Sequence, residues 1–364
     1  MDNFKESNTT EMFGRKKENN IKQGIIIIGI LLSFVVIYII DFLQRSTMIQ
    51  YDFNSRINNI IKGIICIMII MIIPFERINY MIKSGIINKN IFEMNLKRNR
   101  LIAILALYTV PALLGFGIYS NFYYAFSYYG YYFSVFMFFI VLFIIIYSSD
   151  WIEGGFAFLN FNLFVATVNG LLIYYVTKSF YVGLLFSVAT ILTFCISISL
   201  SDKKRKIFSV IYCVMTSILI FFIIVILTGK TKQFKAWLNL DTDYVSREQL
   251  ILRNHTLHIE GGLTYEFYLR HPFVTMYTKL GIVSVVICVG AFLLLMGLVI
   301  YSKKVLSGKR YIAMLGVYFL FAVIFISVLL ADLGFVPTTS MTLVTSTFFI
   351  ESGIMIRTLV RKKI

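Results

Sequence analysis

All three histidines of this chain, His255, His258 and His271, fall in one stretch, residues 228–273, together with Asp241, Glu260, Glu266, Gln249 and the cations Lys230, Lys232, Lys235, Arg247, Arg253 and Arg270. Guanidinium and ammonium groups at that density suit a diphosphate or an anionic lipid headgroup. The same side chains also serve as snorkelling anchors at a membrane surface. His255 and His258 stand in an H-x-x-H spacing beside Glu260. A zinc site needs more ligands and a supporting shell of hydrogen bonds. The spacing instead predicts two histidines on the wet side of a short amphipathic helix, with Leu252 and Leu257 packed inward.

A second group lies at residues 329–343, LLADLGFVPTTSMTL. Gly334 supplies a tight turn, and Pro337 can open a helix without forfeiting a hydrogen bond. Read alone, the segment is the cap of a helical hairpin, with Asp332 among lipid headgroups. Two further ionisable residues, Lys279 and Glu351, interrupt apolar runs. Lys279 lies near enough to a run's end to reach water. Glu351 lies mid-run, where a charge is costly, and this predicts a buried partner or a polar cavity around it.

The elements that carry these residues follow from composition. The 364 residues are 59% hydrophobic and 16% aromatic, with a mean hydropathy of +0.82. A soluble domain of this size has no interior large enough for so much apolar surface, so lipid must solvate much of the chain. About ten apolar stretches are long enough, or nearly so, to span a bilayer as helix: 23–41, 59–75, 101–119, 128–148, 155–176, 180–200, 207–227, 274–301, 311–331 and 338–356. The four cysteines, Cys66, Cys195, Cys213 and Cys288, all fall inside apolar runs and read as small core or lipid-facing residues. The aromatic stretch 122–133 reads as an interfacial belt.

The net charge of +16 points to topology rather than to nucleic acid. Lys and Arg cluster in the N-terminal tail and in alternate loops, at 77–100, 203–206 and 303–310, and again in the C-terminal tail. Cytoplasmic loops are enriched in these residues, which predicts cytoplasmic termini and an outside location for residues 228–273. The expected organisation is a cytoplasmic tail (1–22), an all-α polytopic membrane domain (23–357) with one large extracytoplasmic loop (228–273) between the seventh and eighth helices, and a second cytoplasmic tail (358–364).

Two segments resemble a known family. The stretch ADLGFVPTTSMTL is similar to the region before the last span of the SEDS proteins (FtsW, RodA and SpoVE), which reads roughly N-x-G-L-L-P-x-T-G-I-x-L-P; Gly334, Pro337, Thr339 and Leu343 match in order. The stretch KAWLNLDTDYVSREQLILRNHTLHIEGGL resembles the family's large outer loop, with Lys235, Asp241, Gln249 and Gly261-Gly262-Leu263 at comparable spacing. The layout of ten spans, with a large loop between the seventh and eighth, is also the family's. Val344 and Thr347–Ile350 depart from it, replacing the family's second proline and its S-Y-G-G.

The resemblance implies a bacterial cell membrane protein of wall synthesis, division, shape or sporulation. It implies lipid II or another undecaprenyl-linked glycan as substrate and a class B penicillin-binding protein as partner. A peptidoglycan glycosyltransferase of this kind must deprotonate an attacking hydroxyl and stabilise a leaving lipid diphosphate, with side-chain cations or a divalent cation. The family's aspartate in His-Thr-Asp-Phe has no counterpart, because Pro272 and Phe273 follow His271. Glu266 is the nearest acid and is expected to stand in as base. Lys235, Arg247, Gln249, Arg270 and His271 are expected to bind the diphosphate or the sugar. Gly261, Gly262, Asp332, Gly334, Pro337 and Thr339 are expected to shape the fold. Three other readings stand beside this one: a non-catalytic scaffold of a wall-synthesis complex, an O-antigen-type polysaccharide polymerase, and a transporter.

Overall fold

The computed structural model describes residues 2–46, 61, 64, 65, 68, 137–146, 164–166, 168–173, 185–194, 271–306, 308–333 and 346–360; side chains are described from residue 20 to 44 in the first helix and from 351 in the last. Every element among the described residues is helical. In chain order they are α1 (Asp2–Ser46), the apolar helices α2 (Met137–Ile146), α3 (Phe164–Ile173) and α4 (Leu185–Phe194), then α5 (Pro272–Leu280), α6 (Ile282–Ser302), α7 (Gly308–Asp332) and α8 (Ser346–Val360). Three helices are long and apolar enough to cross a membrane: Asn20–Gln44 within α1, α6 and α7. They mark the chain as a membrane protein.

The chain divides into two compact units. The first holds residues 1–71, 272–318 and 344–364, and the second holds 72–271 and 319–343. Within the first, α1 packs along α6, and both α5 and α8 also pack on α1. Gly29 sits against the Leu298 side chain, whose Cδ1 lies 2.6 Å from where a Cβ would project, so the two backbones approach closely at this level. Asp41, further along α1, comes within electrostatic range of Cys288, earlier in α6. The two helices are therefore antiparallel.

The faces of these helices are inverted relative to a soluble protein. Ile21, Ile25, Ile28, Leu32, Val35, Ile39 and Leu43 recur every three or four residues along α1 and are all exposed, Ile28 to 67%. The opposite stripe buries Ile26, Ile30, Ile37 and Ile40 together with Ser33, Asp41 and Gln44. A helix with a wholly apolar exposed face and its polar groups turned inward is stable against hydrocarbon. Ser33 donates to the Gly29 carbonyl at 2.9 Å, and Gln44 Nε2 donates to Asp41 Oδ1 at 2.9 Å, so the inward polar groups are bonded. Helix α6 repeats the pattern: Val283, Val286, Ile287, Leu293, Leu294 and Ile300 are exposed, and Cys288, Phe292, Leu295 and Val299 are buried.

α1 has 45 residues, roughly 68 Å of helix and more than twice the hydrocarbon thickness of a bilayer. The polar segment expected as an N-terminal tail continues the membrane helix without a break. A second difference lies at residues 274–301, expected as one span. The structure breaks it into α5 and α6 at Gly281, whose φ of +81° and ψ of 173° belong to a region that only glycine enters freely. Ser284 Oγ seals the break, donating to the Gly281 carbonyl at 2.7 Å and to the Met276 carbonyl at 3.1 Å. Lys279, in the last turn of α5, is exposed and complements the negative end of that helix.

One end of the first unit is basic. α6 closes in a turn at 303–306 carrying Lys303 and Lys304, and α7 opens with Lys309 and Arg310. The Thr358 hydroxyl contacts Met314 Sδ at 4.0 Å, so the last turn of α8, with Arg357, comes level with the second turn of α7. Lys22 precedes Gly29 by seven residues, about 10 Å of helix, and therefore lies level with the turn after α6.

In the second unit the apolar helices pack through rings and hydroxyls. Phe138 of α2 meets Phe186 of α4 edge-on, centroids 6.0 Å apart. Ser187 of α4 donates to the Ala166 carbonyl of α3 at 3.4 Å. Thr190 and Thr193 donate back along α4 to the carbonyls of Phe186 and Ala189. Among the described residues of α3 and α4, Asn169, Ser187, Thr190 and Thr193 are buried and essentially inaccessible to solvent.

Candidate functional site

Asp332 is the last residue of α7, where the unpaired carbonyls of a helix give a negative end. An anionic side chain there is disfavoured unless a donor offsets it. His271 supplies one. Its Nδ1 lies 2.8 Å from Asp332 Oδ1, and the two side chains are 0% and 2% exposed. The residues are 61 positions apart, so the bond ties the end of the 228–273 stretch to the end of a membrane-length helix. His271 immediately precedes Pro272, the first residue of α5, a position at which proline disfavours helical backbone. The histidine stands just outside the helix entrance, with its ring bonded to the carboxylate. With the carboxylate accepting, Nδ1 carries the proton of this bond.

The pair is desolvated on both sides. Taking a carboxylate from water is repaid only when a well-placed donor meets it, and His271 Nδ1 lies 2.8 Å from Asp332 Oδ1. Of the residues expected to form the site, the structure brings His271 and Asp332 together. Asp332 is a buried hydrogen-bond partner rather than a solvent-exposed cap. Glu266, Lys235, Arg247, Gln249, Arg270, Gly261, Gly262, Gly334, Pro337 and Thr339 lie outside the described residues. So do His255, His258 and the other three cysteines. Cys288 is buried with a free thiol.

Glu351, in α8, is 2% exposed, so this acid within an apolar run is buried. The sequence did not reveal the burial of four further polar residues. Asp41 and Gln44 form a bonded pair inside α1, Arg357 is 6% exposed, and Asn169 is fully buried with neither its amide nitrogen nor its oxygen hydrogen-bonded. The available signal was the same for each, a lone polar residue in an apolar run. Among the described residues no three His, Cys, Asp or Glu side chains converge on a metal-sized site, so the divalent cation that the SEDS resemblance allows finds no set of ligands in this part of the chain.

No family model, no curated protein and no solved structure matches the chain.

Proposed function

We propose that this chain is a divergent SEDS-type, multi-pass protein of a bacterial cell membrane that acts on undecaprenyl-linked glycan at the outer face, with both termini in the cytoplasm. The observation that carries the reading is the His271–Asp332 hydrogen bond. It joins Asp332, in the segment that resembles the family's region before the last span, to His271, eight residues beyond the stretch that resembles the family's outer loop. The basic end formed by Lys22, Lys303, Lys304, Lys309, Arg310 and Arg357 supports the orientation, because cations collect on the cytoplasmic side. Antiparallel α1 and α6 agree with spans that run in opposite directions.

In this reading the pair is a positioning device. Arg270 and Glu266 precede His271 by one and five residues, so anchoring His271 to the end of α7 restrains both. Glu266 takes the proton from an attacking sugar hydroxyl. The hydroxyl oxygen bonds to the anomeric carbon, the bond from that carbon to the diphosphate breaks, and lipid diphosphate leaves. Arg270, Lys235 and Arg247 offset the charge on the departing diphosphate, and Gln249 bonds a sugar hydroxyl or phosphate oxygen. A class B penicillin-binding protein is the expected partner.

Purified protein in liposomes is expected to convert lipid II into glycan chains resolved on gels, and Glu266→Gln is expected to reduce the yield by at least 100-fold, the scale of a lost general base (~10²–10⁴). An inert wild type that still co-purifies with a penicillin-binding protein refutes catalysis and leaves a scaffold. One observation favours a different class: Asp41, in a membrane-length helix, and Glu351, in α8, are buried carboxylates, and buried acids in a membrane protein can line an ion path. Substrate uptake into proteoliposomes that is abolished by Glu351→Gln, with no glycan formed, selects the transporter.

A further inference from the structure

We propose that the turn between α6 and α7 is a binding site for an anionic phospholipid. Lys303 and Lys304 are adjacent and exposed at the end of α6. Lys304 Nζ stands 4.9 Å from the centroid of the Tyr301 ring, which holds the ammonium on the aromatic face and leaves its outer N–H groups for a second partner. Residues 303–306 of the turn are tied by backbone hydrogen bonds. Lys303, Lys304 and Val305 donate their backbone N–H groups to Ile300, Tyr301 and Ser302, and Leu306 donates to Ser302 at 2.8 Å. Ser302 Oγ is occupied as well, donating to Val299 at 2.6 Å. The two ammonium groups are thus presented from a turn whose N–H groups at 303–306 and Ser302 hydroxyl are internally bonded.

The identity of the occupant follows from what adjoins the turn. Ile300 is 58% exposed, one turn before Lys304, and Leu293 and Leu294 continue the exposed apolar face toward the middle of α6. Gly297 and Gly290 lie on that same face, and a Cβ at either would meet no atom within 4 Å. A ligand that satisfies this surface needs an anion at one end and a hydrocarbon body directly attached, and a glycerophospholipid with a net negative headgroup has both. Its phosphate sits between Lys303 and Lys304, and an acyl chain runs along Ile300, Gly297 and Leu293. An acidic protein segment would pair with the lysines but leave the apolar face below them uncovered. Lys309 and Arg310 at the start of α7 add to the local positive potential. Each cation near a membrane surface strengthens attachment of anionic lipid about fivefold.

The test uses the full chain in nanodiscs made from equal parts phosphatidylglycerol and phosphatidylcholine, released for native mass spectrometry. Wild-type protein is expected to retain phosphatidylglycerol in preference to phosphatidylcholine. Lys303→Gln with Lys304→Gln is expected to lower that preference roughly 10- to 30-fold, with an unchanged melting temperature in phosphatidylcholine alone, since both side chains are exposed. Lys303→Arg with Lys304→Arg is expected to keep the preference. A wild type that retains the two lipids equally, or a glutamine pair that retains phosphatidylglycerol as well as wild type, overturns the site. An arginine pair as deficient as the glutamine pair likewise overturns it, because recognition by charge then fails.

Discussion

Asp332→Ala is expected to lower the unfolding free energy of the detergent-purified protein by about 3–5 kcal/mol, because it leaves the His271 ring buried without its carboxylate. His271→Ala should cost a similar amount for the reciprocal reason, as Asp332 would then face the negative end of α7 with no donor from this ring. The double variant should cost little more than either single one. That non-additivity is the property to measure, and a double-mutant cycle should return a coupling of about 2 kcal/mol or more. Pairing His271→Gln with Asp332→Asn keeps a neutral hydrogen bond and should recover part of the loss. Single variants that stay within about 0.5 kcal/mol of wild type, the range of ordinary surface changes, contradict the pair's role.

Gly281→Ala carries an opposite sign in two descriptions of the same segment. If residues 272–302 formed one uninterrupted helix, alanine would stabilise it by up to about 1 kcal/mol. With φ at +81° and ψ at 173°, alanine is instead strained and should destabilise by about 1–3 kcal/mol. Space plays no part in this, since a Cβ at that position would meet nothing within 4 Å. Thermal unfolding of the variant decides by sign alone. In the reading proposed above, Gly281→Ala also disturbs α5, whose first residue follows His271, so glycan synthesis should fall along with stability.

The membrane helices were legible because hydropathy and length are local properties. Runs at 23–41 and 311–331 became Asn20–Gln44 and Gly308–Asp332, wider by a turn or less at each end. The break at Gly281 was not legible. A single glycine in an apolar run is ordinary in a membrane helix, and nothing in the residue order reveals its φ. The helical start of α1 was missed for a different reason: a polar, charged segment reads as a tail, although Glu, Lys and Arg are good helix formers and can extend a helix that is already nucleated.

For the candidate site, Asp332 and His271 were both singled out, but on separate grounds and with no sign that they meet. Asp332 stands next to a glycine–proline turn, and locally that spells a headgroup-level cap. Its burial depends on a partner 61 residues away, a tertiary fact that no local pattern carries. Asn169 and Asp41 illustrate the same limit from the other side. Each is one polar residue in a greasy run, and sequence alone does not say whether it faces lipid, protein or a cavity.

The central claim is that the His271 end of the molecule faces outside and the Lys303–Arg310 end faces the cytoplasm. Single cysteines on a cysteine-free background test it most directly, with Ser246→Cys reporting on the proposed outer loop and Lys303→Cys on the turn after α6. A membrane-impermeant maleimide applied to intact cells is expected to label the first and to reach the second only after lysis. Labelling of Lys303→Cys in intact cells, with Ser246→Cys protected until lysis, would invert the molecule and remove the outer-face chemistry with it.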